Sequence, residues 1–164
     1  MQTGRRYFAA VISWTCKPFA ELTLAELYAA LRLRAEIFVV EQNCPYLDLD
    51  GLDEAASHLL GHAPSGELAA YTRLLAPGVS YPAYASIGRV VVAPAHRGSG
   101  LGQKLMRESI RRCQELFGPG PIKIGAQQYL RKFYQELGFE PCGEEYLEDD
   151  IPHLPMLRAA HLSP

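Results

Sequence analysis

The chain has 164 residues, of which 48% are hydrophobic and 21% are charged, values typical of one globular domain with a single core. Its formal net charge of -2 gives no electrostatic reason to expect a nucleic-acid partner. No apolar run is long enough for a membrane span, and the run after Arg5 and Arg6 lacks a signal-peptide cleavage site. The four cysteines are scattered without a Cys-x-x-Cys pair, which favours reduced thiols and a cytoplasmic protein.

The first part of the chain predicts a strand and a long helix. Residues 1–9 are expected to form a flexible extension ahead of a domain at residues 10–164, and the first strand is predicted at residues 10–16. A capping box at residues 23–26 begins a helix. Apolar residues then recur at helical spacing, so the helix is expected to extend to about Val40.

An acidic loop follows Pro45, and three strands come after it. Strands are predicted at residues 58–63 and 68–75, because the residues between them have hairpin-turn chemistry. The run Ile87-Gly88-Arg89-Val90-Val91-Val92 is short and β-branched, which predicts a buried strand. Pro94 ends this strand because it has no N–H to donate to a ladder.

The remaining elements complete an α/β pattern. Helical spacing from Leu101 to Leu116 predicts a second long helix. A buried strand at 122–126, a short helix at 129–137 and closing strands at 139–144 and 153–158 follow. This order predicts one twisted mixed β-sheet flanked by helices on both faces.

A glycine-rich loop, Arg97-Gly98-Ser99-Gly100-Leu101-Gly102, joins the central strand to the second long helix. Glycines let a ligand approach the backbone, and the first amides of a helix lack acceptors and carry the positive end of its dipole. Arg97 and Lys104 add charge, so the loop predicts a phosphate site. It has neither the Lys-Ser/Thr of a P-loop nor, with Gln103 in place of a third glycine, a dinucleotide fingerprint. A simple tight turn into a helix is the alternative.

This loop after a Val-Val-Val strand resembles the acetyl-CoA loop of the GNAT N-acetyltransferases. The segment from Phe133 to Phe139 is similar to the family's Phe-Tyr-x-x-x-Gly-Phe pattern. Residues 38–46 and 149–153 resemble, more narrowly, the small bacterial ElaA-type branch. The resemblance covers residues 14–158, and the predicted element order is that of a single-domain GNAT fold.

The resemblance implies an N-acetyltransferase that transfers an acetyl group from acetyl-CoA directly to an amine, without a metal. In this family the loop amides bind the pyrophosphate of coenzyme A, and the preceding strand pairs with the pantetheine arm. Gln127 stands where many relatives carry an asparagine that contacts pantetheine. The residues implied to bind the cosubstrate are Val90, Val91, Val92, Arg97, Gly98, Ser99, Gly100, Leu101, Gly102, Gln103, Lys104, Gln127, Phe133 and Tyr134.

Acetyl transfer needs a neutral amine, stabilisation of the carbonyl oxygen and a proton for the leaving thiolate. Tyr134 is the candidate general acid, because a phenol keeps its proton at neutral pH; a buried structural aromatic is the alternative. Family geometry implies a free backbone amide near Val91 or Val92, at a β-bulge in the central strand.

The general base is left open, because the strand at residues 87–92 lacks the carboxylate that many relatives carry there. Glu41 is one candidate catalytic base. Glu148, Asp149 and His153 are others, and a water relay is equally compatible with the sequence. The missing carboxylate also supports a rival function, a catalytically inactive acyl-CoA-binding module. An acyltransferase that uses a longer acyl-CoA is a third possibility.

The acceptor is expected to be a small molecule or a peptide amine. Acidic residues at 41–53 and 144–150 favour a cationic one. Asp48, Asp50 and Asp53 lack the spacing of a calcium loop and are expected mainly to cap the loop, so no metal is expected. The sequence leaves the oligomeric state open.

Overall fold

The computed structural model describes residues 11–160, so the extension predicted at residues 1–9 lies outside the described residues and the domain limits stay predictions. The elements in chain order are β1 (Ser13–Pro18), α1 (Leu24–Arg34), β2 (Ser57–His62), β3 (Leu68–Leu75), β4 (Ala85–Val92), α2 (Leu101–Phe117), β5 (Ile122–Gln127), α3 (Arg131–Gln135), β6 (Glu140–Pro141), β7 (Tyr146–Glu148) and β8 (Ile151–Arg158).

The strands of the described part form one mixed sheet in the order β1-β2-β3-β4-β5-β8-β6, with β7 paired to β8. The β4–β5 pair is parallel and the other pairs are antiparallel. No helix within residues 11–160 combines the length and the apolar character needed to cross a membrane. All four cysteines lie in this range and are free thiols.

The two long helices pack on opposite faces of the sheet, as predicted. Side chains alternate between the faces of a strand, and the neighbours Leu59 and Leu60 accordingly enter different buried clusters. Leu60 packs in a cluster with Leu33 of α1, whereas Leu59 packs in a cluster with Leu105 of α2. The sheet therefore has a core on each face.

The first long helix changes its geometry before its predicted end. The capping box is present, since the Thr23 hydroxyl accepts from the Glu26 amide at 3.1 Å. The α-helix ends at Arg34, however, and Ala35–Glu41 is π-helical, with the amide of Gln42 donating to the carbonyl of Ile37 five residues earlier. Wider π-helical turns often occur at functional sites.

The C-terminal part departs furthest from the prediction. The closing strand expected at residues 139–144 shortens to the two residues of β6. The strand β7 was not predicted; it forms a hairpin with β8 through Asp149 and Asp150, whose φ angles are 50° and 63°. Positive φ at both turn residues matches the right-handed twist of a two-residue hairpin. The helix predicted at residues 129–137 is a 3-10 turn followed by α3.

Candidate active site

The central strands separate and open a cavity in the middle of the sheet. β4 and β5 pair only at Ala85–Ile122 and Ser86–Lys123. Beyond these pairs the strands diverge, and the edge of β4 that faces β5 has no strand partner within the described residues. A cavity of about 810 Å³ lies along this gap.

A β-bulge in β4 lies beside the gap. The pairing with β3 passes from Tyr71–Val91 to Arg73–Gly88, so two residues of β4, Arg89 and Val90, lie opposite one residue of β3. The φ angle of Arg89 is 52°. The bulge was predicted near Val91 or Val92 and lies one to three residues earlier. A bulge leaves an unpaired residue in the ladder, and here Arg89 is at that place, with its guanidinium 2.7 Å from the carboxylate of Asp48.

The glycine-rich loop forms one end of the cavity. Gly98 and Gly100 have φ angles of 76° and 75°, which favour glycine, and the space where a Cβ would stand is open at both. The first helical amide to find an acceptor is that of Lys104, which donates to the Gly100 carbonyl at 3.3 Å. The amides of residues 101–103 therefore precede the first intrahelical hydrogen bond of α2.

Most of the predicted site residues meet in this cavity. Its wall contains Glu41, Val90, Val91, Val92, Arg97, Gly98, Gly100, Leu101, Gly102, Gln103, Gln127, Phe133 and Tyr134. Two predicted residues are not on this wall. The Ser99 hydroxyl donates to the carbonyl of His96 at 3.0 Å, and Lys104 is exposed on α2.

Two of the predicted residues contact each other directly. The guanidinium of Arg97 lies 2.9 Å from the carboxylate of Glu41, and its Nε donates to the carbonyl of Val92 at 3.2 Å. The π-helical segment thus brings the candidate base to the glycine-rich loop.

Tyr134 lies on the cavity wall but is otherwise enclosed by aromatic rings. Its side chain is 6% exposed and packs edge-on against Phe133 at 5.1 Å and Phe139 at 6.0 Å. Burial raises the pKa of its phenol well above the usual value. The hydroxyl therefore holds its proton throughout the neutral range, as a general acid requires.

Comparison with known proteins identifies the family of this chain. A profile of the GNAT acetyltransferase domain matches residues 40–159. Protein ElaA of Escherichia coli K12 is 43% identical over 150 residues, which are 90% of this chain and 97% of ElaA. The chain belongs to the GNAT acetyltransferase family.

Solved structures agree with this assignment. The chain is similar to an acyl-CoA N-acyltransferase from Pseudomonas aeruginosa, with 48% identity, a TM-score of 0.86 and coverage of 91% of this chain and 100% of that one. It is also similar to the crystal structure of Escherichia coli ElaA, with 43% identity, a TM-score of 0.83 and coverage of 90% and 99%. Both the predicted GNAT fold and the predicted likeness to ElaA are confirmed.

The GNAT acetyltransferase also contains a ring of charges that was not predicted, with Arg34, Asp48, Asp53 and Arg73 buried. Three arginines alternate with three aspartates and join α1, the acidic loop, β3 and the β4 bulge. We call these residues the charge ring. Its contacts are Arg34–Asp48 at 2.7 Å, Asp48–Arg89 at 2.7 Å, Arg89–Asp50 at 3.2 Å, Asp50–Arg73 at 2.6 Å, Arg73–Asp53 at 2.9 Å and Asp53–Arg34 at 2.7 Å.

The charge ring changes the interpretation of the acidic loop. Only one hydrogen bond in this loop matches the predicted capping role, that from the Leu52 amide to Asp50 at 3.1 Å. The carboxylates of Asp48, Asp50 and Asp53 are instead neutralised by arginines, so they do not supply free negative charge to an acceptor. Within residues 11–160, no three metal-ligating side chains cluster as a metal site.

Burial and ion pairing act in opposite directions on the ring. Burial opposes ionisation of Asp50 and Asp53, but hydrogen bonds from Arg73 to both carboxylates, and from Arg34 to Asp53, outweigh it and lower their pKa. His58 lies beneath the ring, with Nε2 donating to the Asp53 carbonyl at 2.9 Å and Nδ1 accepting from Tyr71 at 2.8 Å. Burial lowers the pKa of His58.

These three lowered pKa values predict acid-sensitive stability. A group whose pKa is lower in the folded state stabilises the protein above its unfolded pKa and loses that effect as the pH falls. We expect the melting temperature to fall first below about pH 6.5 through His58, and more steeply below about pH 4 through Asp50 and Asp53. Thermal melts over this range check it. In His58→Gln we expect the melting temperature to depend less on pH between about pH 6.5 and pH 4. An unchanged slope in this range would mean that His58 does not cause the acid sensitivity there.

Proposed function

We propose that this GNAT acetyltransferase transfers the acetyl group of acetyl-CoA directly to an amine, without a covalent enzyme intermediate. The observation that carries the proposal is the gap between β4 and β5. It leads from the open amides at the start of α2 to the buried phenol of Tyr134 within one cavity. Such a gap accommodates an extended arm whose phosphates are held at one end and whose thioester lies at the other.

The phosphate end is assigned to the glycine-rich loop. Unpaired amides at a helix start and the positive end of its dipole bind anions. Arg97 lies beside these amides and adds a guanidinium, which matches phosphate geometry better than an ammonium does. The pantetheine arm is expected to hydrogen-bond along the free edge of β4 at Val90, Val91 and Val92.

At the thioester end, we assign the protonation of the leaving thiolate to Tyr134. The amine nitrogen attacks the carbonyl carbon, the C–S bond breaks, and the thiolate accepts the phenolic proton. An amide freed by the bulge at Arg89 and Val90 is proposed to stabilise the oxyanion. The candidate bases Glu41, Glu148, Asp149 and His153 all lie on the cavity wall.

Two finer parts of the proposal have separate support. An acceptor with positive charge is favoured by the carboxylates of Glu148 and Asp149 on the cavity wall. A cytoplasmic location is favoured by the free state of the four cysteines.

Arg97→Glu is expected to weaken acetyl-CoA binding about 10- to 100-fold, because a charged hydrogen bond to phosphate is lost and a carboxylate replaces it. Titration calorimetry with acetyl-CoA measures this. The matched control is Arg107→Glu, which reverses an exposed charge on α2, the helix that follows this loop, and lies off the cavity wall.

The outcomes separate the proposed function from its rivals. Unchanged affinity in Arg97→Glu would mean that the phosphate site is elsewhere. Tight acetyl-CoA binding without amine-stimulated release of CoA would favour an inactive binding module. Faster turnover with longer acyl-CoA chains than with acetyl-CoA would favour an acyltransferase of different chain length.

A further inference from the structure

The hairpin of β7 and β8 brings an imidazole and a phenol to the cavity. The rings of Tyr146 and His153 are stacked, with centroids 5.6 Å apart and planes inclined by 29°. In the sheet register Tyr146 pairs with His153, and His153 pairs with Gln127 of β5. Paired residues on neighbouring strands share a face of the sheet, and all three line the cavity.

The Cβ-free backbone of Gly125 lies directly against the hydroxyl of Tyr146 in this stack. It lies in β5 beyond the last residue that pairs with β4. A Cβ at this position would overlap the hydroxyl oxygen of Tyr146 and would lie 4.0 Å from that of Tyr81. Two phenol hydroxyls therefore converge over bare backbone at the point where the central strands have separated.

The tautomer of His153 is fixed by its own strand. Its Nδ1 lies 2.8 Å from the carbonyl oxygen of Ile151. Because a carbonyl oxygen only accepts, Nδ1 must carry the hydrogen, and the neutral ring keeps its lone pair on Nε2. An imidazole held this way is prepared to accept a proton at one defined atom.

The charges of the cavity wall single out the same hairpin. Glu41 is paired with Arg97, and Asp50 is paired with Arg73 and Arg89. By contrast, Glu148 and Asp149 form no ion pair with any residue in the described range. The hairpin is thus the end of the cavity where acidic groups are not neutralised.

We infer that the stacked pair of Tyr146 and His153 is the acceptor site, that it takes a primary amine carried as an ammonium ion, and that Nε2 of His153 is the general base. This inference rests on the proposed function and selects one of its four candidate bases. The hydroxyl oxygens of Tyr146 and Tyr81 near Gly125 can accept hydrogen bonds from the ammonium, and the carboxylates of Glu148 and Asp149 attract its charge.

The proton balance follows from these positions. The ammonium gives one proton to Nε2 of His153, which frees the nitrogen lone pair. The nitrogen forms a bond to the carbonyl carbon, the C–S bond breaks, and the thiolate takes the proton of Tyr134. The second proton leaving the nitrogen restores the phenol of Tyr134, and His153 releases its proton to solvent, so one proton is released for each amide and CoA formed.

The test compares the full-length wild type with His153→Gln, using acetyl-CoA and butylamine, cadaverine or phenethylamine as probes. We expect His153→Gln to lower kcat about 100-fold with an unchanged Kd for acetyl-CoA. The wild-type pH–rate profile should have an acidic limb, and the variant should lose it. The other titratable groups that line the same cavity are Glu41, Cys44, Tyr46, Asp50, Arg73, Tyr81, Arg89, Arg97, Tyr129, Tyr134, Tyr146, Glu148 and Asp149. His62→Gln, a change of another histidine off the cavity wall, is the matched control.

A wild-type kcat in His153→Gln, or an acidic limb that persists in this variant and disappears in Glu41→Gln, would overturn the inference while the proposed function stands. No CoA release from the wild type with any probe would overturn both. If His153→Gln loses acetyl-CoA binding, His153→Ala with added imidazole decides instead. Recovery of amine-dependent turnover supports the inference and its absence overturns it.

Discussion

Tyr134→Phe is expected to lower kcat about 1,000-fold, within the range that general acid catalysis contributes, while the Kd for acetyl-CoA stays unchanged. The substitution removes one hydroxyl and keeps the ring between Phe133 and Phe139, so the packing of α3 survives. Without that hydroxyl the CoA thiolate leaves unprotonated. Single-turnover kinetics with a saturating amine, together with titration calorimetry, separate the two quantities.

Tyr28→Phe is the matched control, because Tyr28 is largely exposed on α1 and lies off this cavity. Since burial raises the pKa of Tyr134, the wild-type rate should not decline on the alkaline side until well above pH 10. Equal turnover in Tyr134→Phe would remove the phenol from the mechanism. A parallel loss of affinity and turnover would mean that the residue acts through packing alone.

Asp48→Ala is expected to lower the free energy of unfolding by about 3–5 kcal/mol, the usual cost of removing one partner of a buried ion pair. The change leaves Arg34, which is 0% exposed, with one carboxylate partner instead of two, and it removes the closest carboxylate from Arg89. Urea unfolding followed by fluorescence measures the loss.

Glu115→Ala provides the comparison on the protein surface. It breaks an exposed ion pair with Arg111 on α2 and should change the free energy of unfolding by less than about 1 kcal/mol. If Asp48→Ala cost no more than Glu115→Ala, the charge ring would not be a stabilising element. Because Arg89 sits at the β4 bulge, we also expect Asp48→Ala to reduce kcat at temperatures where the variant is still folded.

The features that could be predicted from sequence are those encoded by neighbouring residues. The capping box at Thr23, the bounds of β3 and the strand–loop–helix unit around Arg97 depend on patterns a few residues long, and the structure has all of them. The Phe-Tyr segment likewise places Tyr134 on the cavity wall. Local spacing was sufficient in each case.

The charge ring was missed because its partners are 14 to 41 residues apart along the chain. A signal was nevertheless present, since Arg73 and Arg89 interrupt apolar strands and a buried arginine requires a carboxylate. The aspartates of the loop after Pro45 were the available partners. Matching arginines in predicted core strands to a nearby acidic loop would have identified the ring.

The π-helical turns and β7 had weaker signals. Ile37 and Phe38 continue an apolar helical pattern. This pattern does not distinguish the i to i−5 hydrogen bonds of a π-helix from the i to i−4 hydrogen bonds of an α-helix. The strand β7 has only three residues, all of them exposed. It therefore has no alternation of apolar and polar residues that would predict a strand. The two consecutive aspartates, Asp149 and Asp150, were the clue to a hairpin turn, because aspartate tolerates positive φ better than most residues.

The separation of β4 from β5 has a consequence for how the molecule holds together. Strands β1–β4 are joined to the remaining strands of the described sheet by only two residue pairs, Ala85–Ile122 and Ser86–Lys123. A linear ligand that bonds to both exposed strand edges would act as an inserted strand and join the two halves of the sheet. Ligand binding and folding would then be thermodynamically linked, so bound cosubstrate would raise the free energy of unfolding.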